Sequence, residues 1–100
     1  MSKPSQEEIN RAGINLQTAR ISWHELQRFF ASGAAFFVSK ELDLVDVAYQ
    51  ISVDNQEMVM EWMNAGQLAR VSDEQAQGWY EKNSEMWAVV VSPYVLVQKT

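Results

Sequence analysis

The sequence predicts an α+β fold in which about five short helices pack on a small, mostly antiparallel sheet of about four strands. Three observations lead to this prediction. Helix-start signals recur along the chain, and each is followed by apolar residues at helical spacing. Two glycines, Gly33 and Gly66, each separate such a helix from a short apolar run. The C-terminal segment, Glu85–Thr100, is the most apolar part of the chain and is interrupted only at Ser92-Pro93.

Five helix starts share one pattern, a short polar capping residue with an acidic or amide residue three positions later. Such a pair satisfies unpaired backbone amides at the helix start, and acidic groups there also interact favourably with the helix dipole. The five pairs are Ser5 with Glu8, Ser22 with Glu25, Asp43 with Asp46, Asp54 with Glu57, and Ser72 with Gln75. We therefore expect a helix to begin at each of these places.

Apolar residues at helical spacing follow each start. The four clear stripes are Trp23, Leu26, Phe29 and Phe30; Leu44, Val47, Ala48 and Ile51; Met58, Val59, Trp62 and Met63; and Ala76, Trp79 and Tyr80. A weaker stripe of Ile9, Ala12 and Leu16 marks the first helix, where Gly13 costs about 1 kcal/mol relative to alanine. We expect this first helix to fray most easily.

Two strands are expected after the glycines, over residues 34–38 and 67–71. Shifting the sequence by 33 residues places Gly33 on Gly66 and Val38 on Val71. We interpret this match as two copies of a unit made of a helix, a glycine, a strand and a capped helix. The alternative is a chance match between two amphipathic helices with glycine caps. Under either interpretation, the two equivalent strands should lie near each other.

The valine-rich C-terminal segment is expected to supply the other strands, over residues 87–91 and 94–98. Two short strands alone do not form a stable sheet, and an unbroken apolar pattern is typical of strands covered on both faces. Ser92-Pro93 joins them as a hairpin or sharp bend; a two-residue hairpin implies a cis bond, and the alternative is one long strand bent at an edge or bulge. The segment is therefore predicted to be core.

Composition limits the domain organisation and the classes of partner. One hundred residues with 47% hydrophobic side chains fit one domain over residues 1–100, with a core over about 15–98 and disorder over residues 1–4. The formal charge is −5, and the lysines and arginines are scattered singly along the sequence. Binding to nucleic acids or anionic membranes needs clustered basic residues, so we expect neither partner.

Targeting and redox signals point to the cytoplasm. The chain has no cysteine, which excludes disulfides and thiolate metal sites and fits a reducing compartment. The N-terminal residues MSKPSQEEIN lack the apolar core of a signal peptide. The C-terminal apolar segment is shorter than the roughly 20 residues that a membrane-spanning helix needs. We therefore expect a cytoplasmic protein without a membrane anchor.

Five segments resemble a family of short bacterial proteins described as domain of unknown function 2288. These segments are TARISWHELQRFFASG, LDLVDVA, EWMNAGQL, SDEQAQGW and WAVVVSPYVLVQ, and the resemblance covers about Asn15 to Gln98. The positions that match the family pattern are Thr18, Arg20, Trp23, Glu25, Gly33, Leu42, Asp43, Leu44, Trp62, Gly66, Asp73, Gln75, Trp79, Trp87, Pro93 and Gln98. Tyr94 departs from the family pattern, because this position resembles a tryptophan position in many relatives. The resemblance implies no activity, because none is assigned to the family.

Catalytic chemistry has little support in the sequence. The only histidine, His24, falls in the first turn of a helix, on the side away from Leu26 and Phe30, and a surface histidine explains it better than a general base or ligand. No metal-binding histidine spacing, phosphate loop or nucleophile motif is present. We predict no catalytic residue, metal or cofactor, and an enzyme remains unsupported.

A ligand pocket is the alternative that the charged residues leave open. Arg20 is expected between two helices, where an inward position would let it pair with Asp43, Asp73 or a bound anion. A structural ion pair is the favoured explanation. A pocket would include Arg20, Trp23, His24, Asp43 and Asp73, and it would serve a small-molecule-binding or hydrolytic domain.

The preferred functional prediction is a non-catalytic protein-interaction or regulatory module, acting on a protein partner or by self-association as a homodimer. Met60 falls off the core stripe of its helix and should be exposed, and with Tyr49 it would mark the interaction surface. A winged-helix DNA-binding domain is disfavoured by the acidic charge.

Overall fold

The computed structural model describes Gly13 and residues 17–100. This part of the chain contains four helices and five strands. In chain order these are β1 Ala19–Ser22, α1 Trp23–Ala31, β2 Ala35–Val38, α2 Leu44–Ser52, α3 Gln56–Asn64, β3 Leu68–Arg70, α4 Asp73–Lys82, β4 Glu85–Val91 and β5 Tyr94–Lys99. The predicted α+β class is confirmed. The helix start at Ser5, the stripe from Ile9 to Leu16 and the disorder expected over residues 1–4 fall outside the described residues.

The five strands form one mixed sheet in the order β1-β4-β5-β2-β3. Three of the four neighbouring pairs are antiparallel, and β2 with β5 is the parallel pair. Strands β4 and β5 form a hairpin whose two-residue loop is Ser92-Pro93, with a cis peptide bond between these residues and Val91 paired with Tyr94. The hairpin expected at this position is therefore confirmed.

Strand β1 is the element that the sequence did not predict. Arg20 was expected in a loop between two helices, but it lies in β1, where Ala19 pairs with Ala88 and Ser22 with Glu85 of β4. The segment is only four residues long and has no turn signal before it. Its extended conformation is explained by pairing with the free edge of β4, which local sequence does not reveal.

The helices cover both faces of the sheet. Helices α1 and α4 pack on one face with Met86, Ala88, Val95 and Val97, and α2 and α3 pack on the other face with Val89 and Leu96. All six of these strand residues are 1% exposed or less. Because β4 and β5 lie inside the sheet and are covered on both sides, the prediction that the C-terminal segment is core is confirmed.

All four described helices end in the same way, with one residue in the left-handed region followed by a hydrogen bond back to the last turn. The left-handed residues are Gly33 (φ +76°), Asp54 (φ +56°), Gly66 (φ +73°) and Asn83 (φ +45°). At the two glycines the next N–H groups donate to carbonyls five residues back, Ala34 to Phe29 at 2.8 Å and Gln67 to Trp62 at 2.9 Å. The predicted glycine caps are confirmed.

The two similar units lie side by side, since β2 and β3 are antiparallel neighbours, as expected. Equivalent residues nevertheless face opposite sides of the sheet. Val38 belongs to the core under α2 and α3, whereas Val71, 33 residues later, belongs to the core under α1 and α4. Each unit therefore places one helix on each face, and the second unit uses the faces in the reverse order.

The predicted helix starts hold with two exceptions. Ser72 and Gln75 form a full capping box, with bonds of 3.1 Å and 3.0 Å, and Asp43 accepts from the N–H of Val45 at 2.9 Å. Helix α3 is capped by Asn55 instead of Asp54, because Asp54 adopts the left-handed conformation that ends α2. The second exception is Ser22, whose side chain makes no capping bond.

Candidate functional site

His24 lies where the start of α1 meets the end of α4. Its backbone N–H donates to Asn83 Oδ1 at 3.2 Å, and the N–H of Trp23 donates to the Ser84 carbonyl at 2.8 Å. These two bonds cap α1 in place of Ser22. The ring Nε2–H donates to the Tyr80 carbonyl at 2.9 Å. His24 is exposed, as expected, and its bonds give it a structural role at a helix junction.

Arg20 and Trp23 are three residues apart in sequence but occupy different environments. Arg20 is exposed on β1, opposite Trp87 of β4, and its Cζ lies 5.0 Å from the centre of the Trp87 ring. Trp23, the first residue of α1, is fully buried, and its ring meets that of Trp79 edge-on with 5.1 Å between the ring centres. The Trp23 indole N–H has no hydrogen-bond partner in the described part of the chain.

The structure does not bring the five predicted ligand residues around one cavity. Asp43 caps α2 on one face of the sheet, and Asp73 lies in the first turn of α4 on the other. Of the five, only Asp73 lines any of three surface cavities formed by residues 17–100, a cavity of about 290 Å³ between α1 and α4. Arg20, Trp23, His24 and Asp43 do not line it.

The most apolar of these three cavities lies between α3 and the sheet, and we call it the methionine groove. Its walls are Val59, Met60 and Met63 of α3, and Tyr94 lies beside them. The floor is formed by Phe36, Leu68 and Leu96, one residue from each of three neighbouring strands. The volume is about 320 Å³, and Asp54, Asn55 and Gln56 form a polar rim at one end.

Three large apolar side chains of the methionine groove are exposed to solvent. Met60 is 56% exposed, Met63 44% and Tyr94 40%. The expected exposure of Met60 is thus confirmed. Tyr49 is half-buried and does not line the groove. The sequence did not identify Tyr94 as a groove residue, because its position depends on strand register. In the structure the rings of Phe36 and Tyr94 meet edge-on, with 5.3 Å between the ring centres.

A second cavity, on the opposite face of the sheet, is lined by three lysines, and we call it the lysine cleft. Lys40 follows β2, Lys82 ends α4 and Lys99 ends β5. The cleft is about 660 Å³, and Glu74 and Glu85 also line it. These three lysines are far apart in sequence, and the fold brings them to one cavity.

Arginines and lysines are used differently among residues 17–100. Each arginine lies against an aromatic ring: Arg20 on Trp87, Arg28 on Phe29 and Arg70 on Phe36, at 4.9–5.9 Å. All three lysines in this range line the lysine cleft, and none makes a hydrogen bond or ion pair with another described residue. The three lysine ammonium groups of this part of the chain therefore share one cavity, whereas the three arginines lie apart from it on aromatic rings.

Gly78 lines the lysine cleft from the middle of α4. A glycine inside a helix costs about 0.5–1 kcal/mol relative to alanine. A Cβ at this position would meet no atom within 4 Å, so packing does not require the glycine. Because glycine has no side chain, the backbone of α4 is open to the cleft at this position.

No group of three or more histidine, aspartate and glutamate side chains is arranged to hold a metal ion within residues 17–100. None of the helices in this range combines the length and the apolar character that crossing a bilayer requires.

Comparison with known proteins agrees with the architecture. The NMR solution structure of PA1075 from Pseudomonas aeruginosa is similar to this chain, with 39% sequence identity and a TM-score of 0.78 over 99% of this chain and 89% of that chain. No curated protein matches the chain significantly. The family model described as protein of unknown function (DUF2288) matches residues 9–99. The chain therefore belongs to the DUF2288 family, in agreement with the resemblance of its five sequence segments.

Proposed function

We propose that this protein is a non-catalytic, cytoplasmic interaction module whose methionine groove binds an amphipathic helical segment of a protein partner. The observation that supports it is the cluster of three exposed apolar side chains, Met60, Met63 and Tyr94, around one apolar depression. Exposed apolar groups that are scattered singly need no explanation, but a contiguous group around a cavity is typical of an interaction site. The cysteine-free composition supports the cytoplasm.

The shape and side chains of the groove suit a helix. Its wall is a helix that presents Gln56, Val59, Met60 and Met63 along one side, and its floor is sheet. A partner helix with apolar residues at i, i+3, i+4 and i+7 would lay its apolar side into such a groove. Methionine side chains adapt to different partner surfaces because they are unbranched and polarisable.

The charges around the groove select a basic partner segment. Asp54 forms part of the rim, and Glu57 and Glu61 lie exposed, one turn apart, on the same helix as Met60. Arg70, over the ring of Phe36, is the opposing cation at the floor. Three carboxylates against one guanidinium favour lysine or arginine beside the apolar face of the partner. A second copy of this chain would bring the same acidic rim, so charge opposes self-association.

The alternative, a small-molecule-binding or hydrolytic pocket at Arg20, Trp23, His24, Asp43 and Asp73, has less support. These residues do not line a common cavity, and Trp23 is fully buried. His24 already bonds to Tyr80 through its ring and to Asn83 through its backbone.

Binding of a synthetic peptide tests the proposal. The probe is an 18-residue amphipathic peptide, about five helical turns long, with leucines on one face and lysines beside them. Two control peptides accompany it: one has glutamate in place of each lysine, and the other has the same composition in scrambled order. Fluorescence anisotropy should show saturable binding of the lysine peptide only, and the binding should weaken as salt increases.

Two variants distinguish binding in the methionine groove from non-specific binding elsewhere on the surface. Met60→Ser combined with Met63→Ser should weaken binding of the lysine peptide at least about ten-fold, which corresponds to about 1.4 kcal/mol of lost apolar contact. Val90→Ser is the matched control, because Val90 is 50% exposed and is paired with Val95, whose side chain belongs to the core on the other face of the sheet. Equal losses in both variants, or equal binding of the glutamate peptide, would contradict the proposal. If light scattering shows a dimer that becomes a monomer in the Met60→Ser variant, the occupant of the groove is a second copy of this chain and not a different protein.

A further inference from the structure

We propose that the lysine cleft is a second site, independent of the methionine groove, that binds a small phosphate-bearing ligand with more than one negative charge. Lys40, Lys82 and Lys99 come from a loop, a helix end and a strand end, and the fold brings all three to one cavity. The chain as a whole is acidic, with a formal charge of −5, so this is a local exception to its overall charge.

The cations of the cleft are available to a ligand. None of the three lysines makes an ion pair or hydrogen bond with another residue of the described range, and the same holds for the Ser84 hydroxyl, which also lines the cleft. Lysine ammonium groups act as compact point charges with three donors and are common phosphate ligands. Three such groups at one cavity suit an anion that offers several acceptor oxygens, as a phosphate group does.

Gly78 is the second observation that points to a ligand. It faces the cleft from the interior of α4, where a Cβ would enter open space and packing gives no reason for glycine. Glycine at such a position permits close approach of a ligand to the backbone. The cleft also has an apolar side formed by Phe37 and Trp79, against which the organic part of a phosphate ester would lie.

Glu74 and Glu85 line the same cleft and oppose a fully charged anion. Among the charged side chains that line the cleft, three lysines face two glutamates. Neutralising either glutamate should therefore strengthen binding of the anion. If the cleft bound a metal ion instead, the same change would weaken binding of that ion.

The test is a titration of the full chain with inorganic pyrophosphate, followed by two-dimensional NMR of the backbone amides, with sodium chloride at matched ionic strength as control. Saturable shifts are expected at Lys40, Gly78, Ser84 and Lys99. Lys40→Gln, Lys82→Gln and Lys99→Gln should each weaken binding about two- to five-fold, as for exposed charge pairs. Arg28→Gln, which removes an exposed cation away from the cleft, should have no effect.

Gly78→Ala distinguishes a ligand site from a merely charged surface. If the glycine serves only the fold, the alanine variant will melt at a higher temperature and bind pyrophosphate unchanged. We expect the higher melting temperature together with weaker binding. Shifts that sodium chloride reproduces, an equal effect of Arg28→Gln, or unchanged binding in Gly78→Ala would overturn the proposal, and equal binding of citrate would overturn the assignment to phosphate. Peptide binding in the methionine groove should be unaffected in every one of these variants.

Discussion

Replacing Gln98 by methionine tests how the loop after β2 is held against the sheet. The Gln98 side-chain amide donates two hydrogen bonds, to the Ser39 carbonyl at 2.9 Å and to the Leu42 carbonyl at 2.8 Å. Methionine has similar volume but no donor, so both bonds are lost and two carbonyls lose a partner. At about 1 kcal/mol net for each bond, the free energy of unfolding should fall by about 2 kcal/mol. For a domain of this size, the melting temperature should fall by about 10 °C.

Urea denaturation followed by circular dichroism measures this change. The slope of the free energy of unfolding against urea concentration should be the same as in the unchanged protein, as expected when unfolding stays a single step. Gln77→Met is the matched control, because its amide contacts Glu81 at 3.3 Å on the exposed side of α4. That control should change the free energy of unfolding by less than about 0.5 kcal/mol. If Gln98→Met costs no more than Gln77→Met, the two bonds do not hold the loop and the reasoning is wrong.

Replacing Gln98 by glutamate adds a pH test of the same contact. At neutral pH a carboxylate would face two carbonyl acceptors, so this variant should be less stable than Gln98→Met. The charged form is disfavoured in the folded state, so the pKa of the new carboxyl is raised above its unfolded value of about 4.3. Its protonated form can donate again, and the penalty should therefore be absent below about pH 4 and grow as the pH rises.

Three further expectations concern the fold. Ending the chain after Asn83 removes β4 and β5 and should abolish cooperative unfolding; a compact, cooperatively unfolding fragment would contradict the assignment of these strands to the core. Gly66→Ala forces a side chain into a left-handed conformation and should cost about 1–2 kcal/mol in urea denaturation, and a neutral result would mean that the helix end can rearrange. His24→Ala removes the ring bond to Tyr80 and should cost about 1 kcal/mol, whereas an unchanged stability would show that the junction does not depend on it.

Local signals predicted most of the helical architecture. Ser72 with Gln75 and the glycines at 33 and 66 act within one helix turn, so their effect does not depend on the rest of the fold. The C-terminal segment was also predictable, because only an interior strand pair accommodates such a continuous apolar run. In each case the signal and its consequence are close together in sequence.

What the sequence did not reveal depends on contacts between distant segments. The strand at Ala19–Ser22 exists through its pairing with β4, and the cap of α1 comes from Asn83 and Ser84 instead of Ser22. The candidate sites are of the same kind. Met60 was predicted to be exposed from its helix position, but its neighbours Met63 and Tyr94 follow from the tertiary fold, and the predicted partner Tyr49 does not line the groove.

The parallel pairing of β2 with β5 is the topological feature that builds both candidate sites. Ala35 pairs with Val95 and Phe37 with Val97, so the two strands begin at the same end of the sheet and finish at the other. At the first end, Tyr94 comes beside Phe36 and lines the methionine groove; at the second, Lys99 and Lys40 meet in the lysine cleft. An antiparallel pairing would have placed Lys99 beside the start of β2, far from Lys40. Because the two sites use opposite ends of β5 and opposite faces of a sheet with a buried centre, a substitution in one should leave binding at the other unchanged.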